Sequence, residues 1–188
     1  MGSSWTAATT TARTATGGSL DDRARFLFEI LREIRRSTGP TFQVGLRRTP
    51  EGNGITVEEG REVARRVLKS KLVDYLDLSL WDVFAHPRAG GDRLLIDHFT
   101  DLPRFRTRLG ATGKVLSLDD VAWCLDRSAD FVSVGAGAIL HHDWASRALI
   151  EPGFTVRDRP VPAHHPGNEY LSPTFIDYLS EGWNDFVA

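Results

Sequence analysis

Arg47 is the side chain whose type and position point most directly to chemistry. It follows a short apolar run, Phe42-Gln43-Val44-Gly45-Leu46, that reads as a β-strand. An arginine at such a strand end points into the mouth of a parallel α/β fold. Its planar fork can there bind an electron-rich ring or a carboxylate. A surface arginine is the plainer alternative. Two further stretches, Lys114 to Ser117 and Gly135-Ala136-Gly137, have the makings of a phosphate cradle. Small residues let backbone N–H groups approach an anion, and a following helix adds its positive end. Taken alone, Gly135 and Gly137 read equally as turn residues.

Other candidates have blander readings. His141-His142-Asp143 and His164-His165 contain metal-ligand types. Adjacent histidines on a short helix diverge and the spacing is irregular, so no metal site is expected. Asp119 and Asp120 read as helix-start acids and Cys124 as a packed helix thiol. Trp81, Asp82 and Phe84 either line a pocket or pack their own loop. The single cysteine excludes an intrachain disulfide and a cysteine zinc cluster, and fits a reducing compartment.

These residues need a frame that brings strand ends together, and the hydrophobic pattern supplies one. Ser19 with Asp21 and Asp22 starts a helix whose apolar stripe is Phe26, Leu27, Ile30, Leu31 and Ile34. A strand ends at Arg47. Thr56 and Glu59 have capping-box spacing before a helix carrying Val63, Ala64, Val67 and Leu68. A second strand runs from Val73 to Leu78, interrupted by Asp74 and Asp77. After a long loop, a short helix is expected over Leu102 to Leu109 and a third strand over Gly113 to Leu116. A helix from Ser117 to about Arg127 and a fourth strand from Asp130 to Val134 follow. A short helix near 143–150 and an amphipathic segment from Pro173 to about Trp183 complete the pattern. Strands alternating with amphipathic helices imply a parallel sheet. Four such units make half of an eight-stranded barrel, and a small doubly wound sheet is the competing arrangement.

Composition narrows the function classes. In 188 residues, 23 Lys and Arg against 25 Asp and Glu leave a net charge of −2, which excludes a strongly basic nucleic-acid binder. No apolar run approaches the roughly 18 residues of a membrane span, and no secretory h-region is present, so a cytoplasmic protein is expected. Residues 1–16 read as a disordered or degraded leader, 17–150 as the half barrel and 151–188 as a C-terminal helical extension.

In order along the chain, the strand ends and their flanks resemble the C-terminal half of the Old Yellow Enzyme family, the NADH:flavin oxidoreductases. Thr16-Gly17-Gly18-Ser19-Leu20-Asp21-Asp22-Arg23-Ala24-Arg25-Phe26 is similar to the family's YGGSLENRARF segment. Val44-Gly45-Leu46-Arg47-Arg48-Thr49-Pro50 is similar to VGVRLSP, and Asp74-Tyr75-Leu76-Asp77-Leu78-Ser79 to its sixth-strand motif. Ala129-Asp130-Phe131-Val132-Ser133-Val134-Gly135, then Ile139-Leu140, is similar to ADFVxxGRxxL. The match covers residues 11 to 150.

The resemblance implies a TIM barrel with FMN at its mouth, reduced by NAD(P)H and oxidised by an activated alkene or related small-molecule electrophile. Arg47 matches the arginine that contacts the flavin ring. Gly113 and Lys114 fall at the seventh-strand phosphate loop, and Gly135 at the eighth-strand phosphate glycine. Ala136 stands where the family has a phosphate-binding arginine, which removes a bidentate contact. The family's first four strands would precede residue 17, and with them go the residues that hold the electrophile. The chain therefore reads as a fragment or split product, and no catalytic residue is assigned. Two half barrels could pair as a homodimer, or one could join a separate N-terminal half chain. The alternative is a non-catalytic flavin- or phosphate-binding or interaction half barrel.

Overall fold

The computed structural model describes residues 18–183 and 185–187. The leader expected over 1–16, together with Gly17, lies outside the described residues. Helix α1 (Leu20–Ser37) starts where Ser19 accepts the Asp22 N–H, with Asp21 and Asp22 at its positive end and Arg35 and Arg36 at its negative end. Leu31 is buried and Leu27 packs on the core, but Phe26, Ile30 and Ile34 are exposed. The expected stripe is thus only half covered among the described residues.

Strand β1 (Gly45–Arg48) leads to α2 (Val57–Ser70), and β2 (Tyr75–Ser79) to the short α3 (Asp97–Thr100). Strand β3 (Arg108–Thr112) leads to α4 (Leu118–Asp126), and β4 (Phe131–Ser133) to α5 (Ala136–Leu140) and α6 (Trp144–Ile150). Helices α7 (His165–Asn168) and α8 (Pro173–Gly182) follow. The strands are all parallel, in the order β1-β2-β3-β4. Sequential order is that of a barrel wall. A doubly wound sheet would reverse direction from its first strand, so the fold is a partial TIM barrel.

The third strand differs from expectation. It runs over Arg108–Thr112 rather than Gly113 to Leu116, and no helix spans Leu102 to Leu109. Leu109 and Ala111 are the residues that pack into the core from this strand. Gly113 and Lys114 then have φ of 146° and 51°, which takes the chain out of extended geometry. The two capping sequences also divide. Ser117 and Asp120 form the full reciprocal capping box, whereas Thr56 accepts the Glu59 N–H and the Glu59 carboxylate pairs instead with buried Arg23 of α1.

The core lies between sheet and helices. Val63, Ala64, Val67 and Leu68 of α2 meet Leu76 and Leu78 of β2 and Leu109 of β3, all fully buried. The opposite face of the sheet carries two layers. In the lower, Tyr75 and Phe131 meet edge to face at 5.6 Å. Gly45 and Gly110 make room for them, since a Cβ there would come within 1.9 Å and 2.3 Å of the two rings. The upper layer, toward the strand ends, is polar.

Candidate functional site

That upper layer is a continuous row across all four strands. Register places Arg47 beside Asp77, Ser79 beside Thr112, and Thr112 beside Ser133. Asp77 is buried and central. Its Oδ1 accepts the Thr112 hydroxyl at 2.8 Å, and its Oδ2 accepts the Ser133 hydroxyl at 3.1 Å. The Arg47 Nε lies 3.7 Å from Oδ2. A buried carboxylate costs stability unless its lone pairs are matched, and here two hydroxyls and a guanidinium match them. Arg47 itself is half-exposed, so its cation is held at the base by Asp77 and open to a ligand above.

Asp77, Thr112 and Ser133 are not among the site residues that the sequence alone marks. A usable signal existed. Leu76 and Leu78 are apolar while Tyr75, Asp77 and Ser79 alternate with them, and period-two alternation sends Asp77 to the face opposite the helices.

The expected phosphate-end residues divide. Gly113 is structurally required, because a Cβ would lie 2.6 Å from the Trp81 carbonyl carbon and 2.7 Å from the Asp82 nitrogen. Its carbonyl accepts the Val83 N–H at 3.2 Å, so the loops after β2 and β3 interlock. Lys114 Nζ lies 2.9 Å from Asp82 Oδ2. Burial alone would raise the Asp82 carboxyl, but the Lys114 ammonium and the Phe84 N–H outweigh it and hold it below the usual aspartate value. Lys114 therefore reaches its loop already partnered. Gly135 sits at the start of α5 with open space where a side chain would be, and Ala136 packs toward the C-terminal core.

Trp81 is exposed at φ 65°, while Phe84 packs on Trp123 at 4.6 Å. Burial and the Asp120 carboxylate push the Cys124 thiol up to about 11, so it is a neutral, packed group. A cavity of about 400 Å³ opens between Ser117 and the segment 148–155, and Arg47, Asp77 and Lys114 do not line it. It is separate from the polar row. Among the described residues, no helix is long and apolar enough to cross a membrane.

No family model matches the chain. A probable NADH-dependent flavin oxidoreductase, YqiG of Bacillus subtilis, is 28% identical over 137 residues, covering 68% of this chain and 37% of YqiG. A probable flavin mononucleotide-dependent alkene reductase of Leishmania infantum is 26% identical over 176 residues, covering 90% of this chain and 42% of its own length. The solved structure of the old yellow enzyme homologue from Zymomonas mobilis superimposes with a TM-score of 0.65 at 17% identity, over 83% of this chain and 44% of that one. At that identity the likeness carries the fold alone. The chain spans less than half the length of the curated relatives it matches. In both sequence and fold, its relatives are Old Yellow Enzyme family proteins, each matched over part of its length.

Proposed function

We propose that the chain contributes one half of an FMN-dependent oxidoreductase site, in which NAD(P)H is the reductant and an activated alkene or similar small electrophile the acceptor. The observation that carries this reading is the Arg47 cation, open to the mouth and held from beneath by Asp77. FMN, when bound, supplies the hydride chemistry. Arg47 stabilises negative charge that grows on an electron-rich ring beside it. Asp77, with Thr112 and Ser133, orients that guanidinium. Gly113 and Gly135 offer backbone N–H groups at the phosphate end, and Lys114 a point charge shared with Asp82. Ala136 contributes no charge. No described residue is assigned as proton donor.

The remaining barrel strands come, in this proposal, from a second copy or another polypeptide segment. Residues 17–150 form the barrel half, with 151–188 as its C-terminal extension. The setting is cytoplasmic. A second reading, a half barrel that binds flavin or phosphate without catalysis, is favoured by Ala136 and by the Lys114–Asp82 pair.

The test is to incubate the purified chain with excess FMN, gel-filter it and record absorbance across the protein peak. Flavin absorbing near 450 nm should co-elute and bleach with NADH, and Arg47→Ala should weaken retention about tenfold. Co-elution without bleaching selects the non-catalytic reading. A folded, flavin-free peak rejects both for this chain alone.

A further inference from the structure

The histidine-rich stretch after α5 takes no part in the polar row. His142 and Asp143 lie in the turn between α5 and α6, and Glu169 follows directly on α7. Folding closes the gap. Glu169 Oε2 accepts the His142 backbone N–H at 2.9 Å and lies 2.8 Å from His142 Nδ1. With the Asp143 carboxylate, one ligand atom from each residue lies within 4.8 Å of the other two. His142 and Asp143 are exposed, and Asp143 makes no side-chain cap to α6. Buried His165 lies behind Glu169. Glu169 Oε1 lies 3.9 Å from His165 Nε2, and that nitrogen is 2.8 Å from the Leu140 carbonyl.

We propose that His142, Asp143 and Glu169 form a divalent transition-metal site of the zinc type, clipping the α5–α6 turn to the end of α7. One imidazole and two carboxylates suit zinc, cobalt or nickel. Magnesium and calcium prefer all-oxygen cages, and thiophilic ions have no thiolate here. Metal–ligand bonds of about 2.0–2.2 Å place neighbouring tetrahedral ligands about 3.4 Å apart. His142 Nδ1 and Glu169 Oε2 must therefore part by roughly half an ångström while Asp143 swings inward. The exposure of Asp143 leaves room for that rotation. Metal at Nδ1 replaces the contact with Oε2: a neutral imidazole carries its one ring proton on Nε2 in the bound form, an imidazolium releases its second proton to solvent, and water completes the coordination. The His142 backbone N–H orients Glu169 from the second layer.

A simple hydrogen bond between His142 and Glu169 has no use for Asp143, so that residue discriminates. Metal-stripped, tag-free chain is titrated with zinc chloride by calorimetry, and its thermal midpoint is followed in parallel. One equivalent should bind and raise the midpoint. His142→Ala and Glu169→Gln should each weaken binding about a hundredfold, and Asp143→Asn about tenfold. Asp143→Asn should leave the metal-free midpoint unchanged, which keeps the test valid if the other variants fold poorly. His86→Ala, in the loop after β2, should bind normally. Absence of saturable binding by about 100 μM zinc, or binding that Asp143→Asn and His142→Ala leave intact, overturns the proposal.

Discussion

Between β1 and β4, strands and helices share one apolar core. Leu76, Leu78 and Leu109 are fully buried, and Val63 to Leu68 of α2 close over them. Beyond β4, a separate and smaller apolar cluster holds Leu140, Val161, Leu179, Phe186 and Val187. Polar contacts supplement that smaller core. Trp144 Nε1 donates to the Leu116 carbonyl at 3.1 Å, the Arg157 N–H to His141 Nε2 at 3.1 Å, and His165 Nε2 lies 2.8 Å from the Leu140 carbonyl. The first region has the larger share of non-directional burial, and the second joins a smaller apolar cluster to particular polar pairs.

Cutting each core tests the contrast most severely. Leu76→Ala should cost about 2–5 kcal/mol and lower the urea midpoint of the whole chain, because the site lies at the centre of the sheet. Leu179→Ala, in the smaller core, should release amide protection mainly in residues beyond 136 while β2 and β3 stay protected. Hydrogen exchange on both variants decides it. If Leu179→Ala strips protection from β2, the two regions are one cooperative unit and the contrast is broken.

Gly113→Ala comes next, at about 2–4 kcal/mol. Its added methyl meets backbone of the Trp81–Asp82 loop, which no side-chain rotation relieves, and its φ of 146° strains any L-residue. Gly135→Ala is the matched control. It has open space and φ −103°, and should change the midpoint little. Equal effects of the two would remove the interlocked loops from the account of this rim.

The regions also differ in how far the sequence discloses them. Helical stripes and capping residues are local, so α1, α2 and α4 and the parallel order of the strands follow from spacing. The sequence places the third strand too late because Leu109-Gly110-Ala111 holds too few residues to separate strand from helix by period, whereas Gly113-Lys114-Val115-Leu116 has the more strand-like composition. Arg47 was visible as a strand-end cation. Asp77 is surrounded by apolar strand residues and reads as an interruption until Thr112 and Ser133 arrive from other strands. The same limit hides the meeting of His142 and Glu169 across 27 positions. Pairings made by tertiary structure leave no periodic trace.

Within the polar row, Asp77→Ala strands two hydroxyls and frees Arg47, at about 1–3 kcal/mol. Asp77→Asn should cost less, since an amide oxygen still accepts one hydroxyl. Chemical denaturation of both variants checks the order. A reversed order would mean that removing the buried carboxylate outweighs the lost hydrogen bonds.

The smallest effect lies at the base of the sheet and depends on pH. The Asp74 carboxylate accepts the Val44 N–H at 2.7 Å and pairs with Arg35 of α1 at 2.9 Å. The Val44 N–H first, and then the Arg35 guanidinium, hold its pKa below the ordinary value of 3.8. A carboxyl depressed on folding stabilises the native state fully above its unfolded pKa, and that contribution is lost as pH falls through the lower folded value. Asp74 is 47% exposed, so solvent screening keeps the contribution below about 1 kcal/mol. Urea unfolding of the wild type and Asp74→Asn at about pH 7 and about pH 3 should show a stability gap that narrows in acid. A gap equal at both pH values would mean that the charge of Asp74 contributes nothing and that its carboxyl acts only as a neutral hydrogen-bond acceptor for the Val44 N–H.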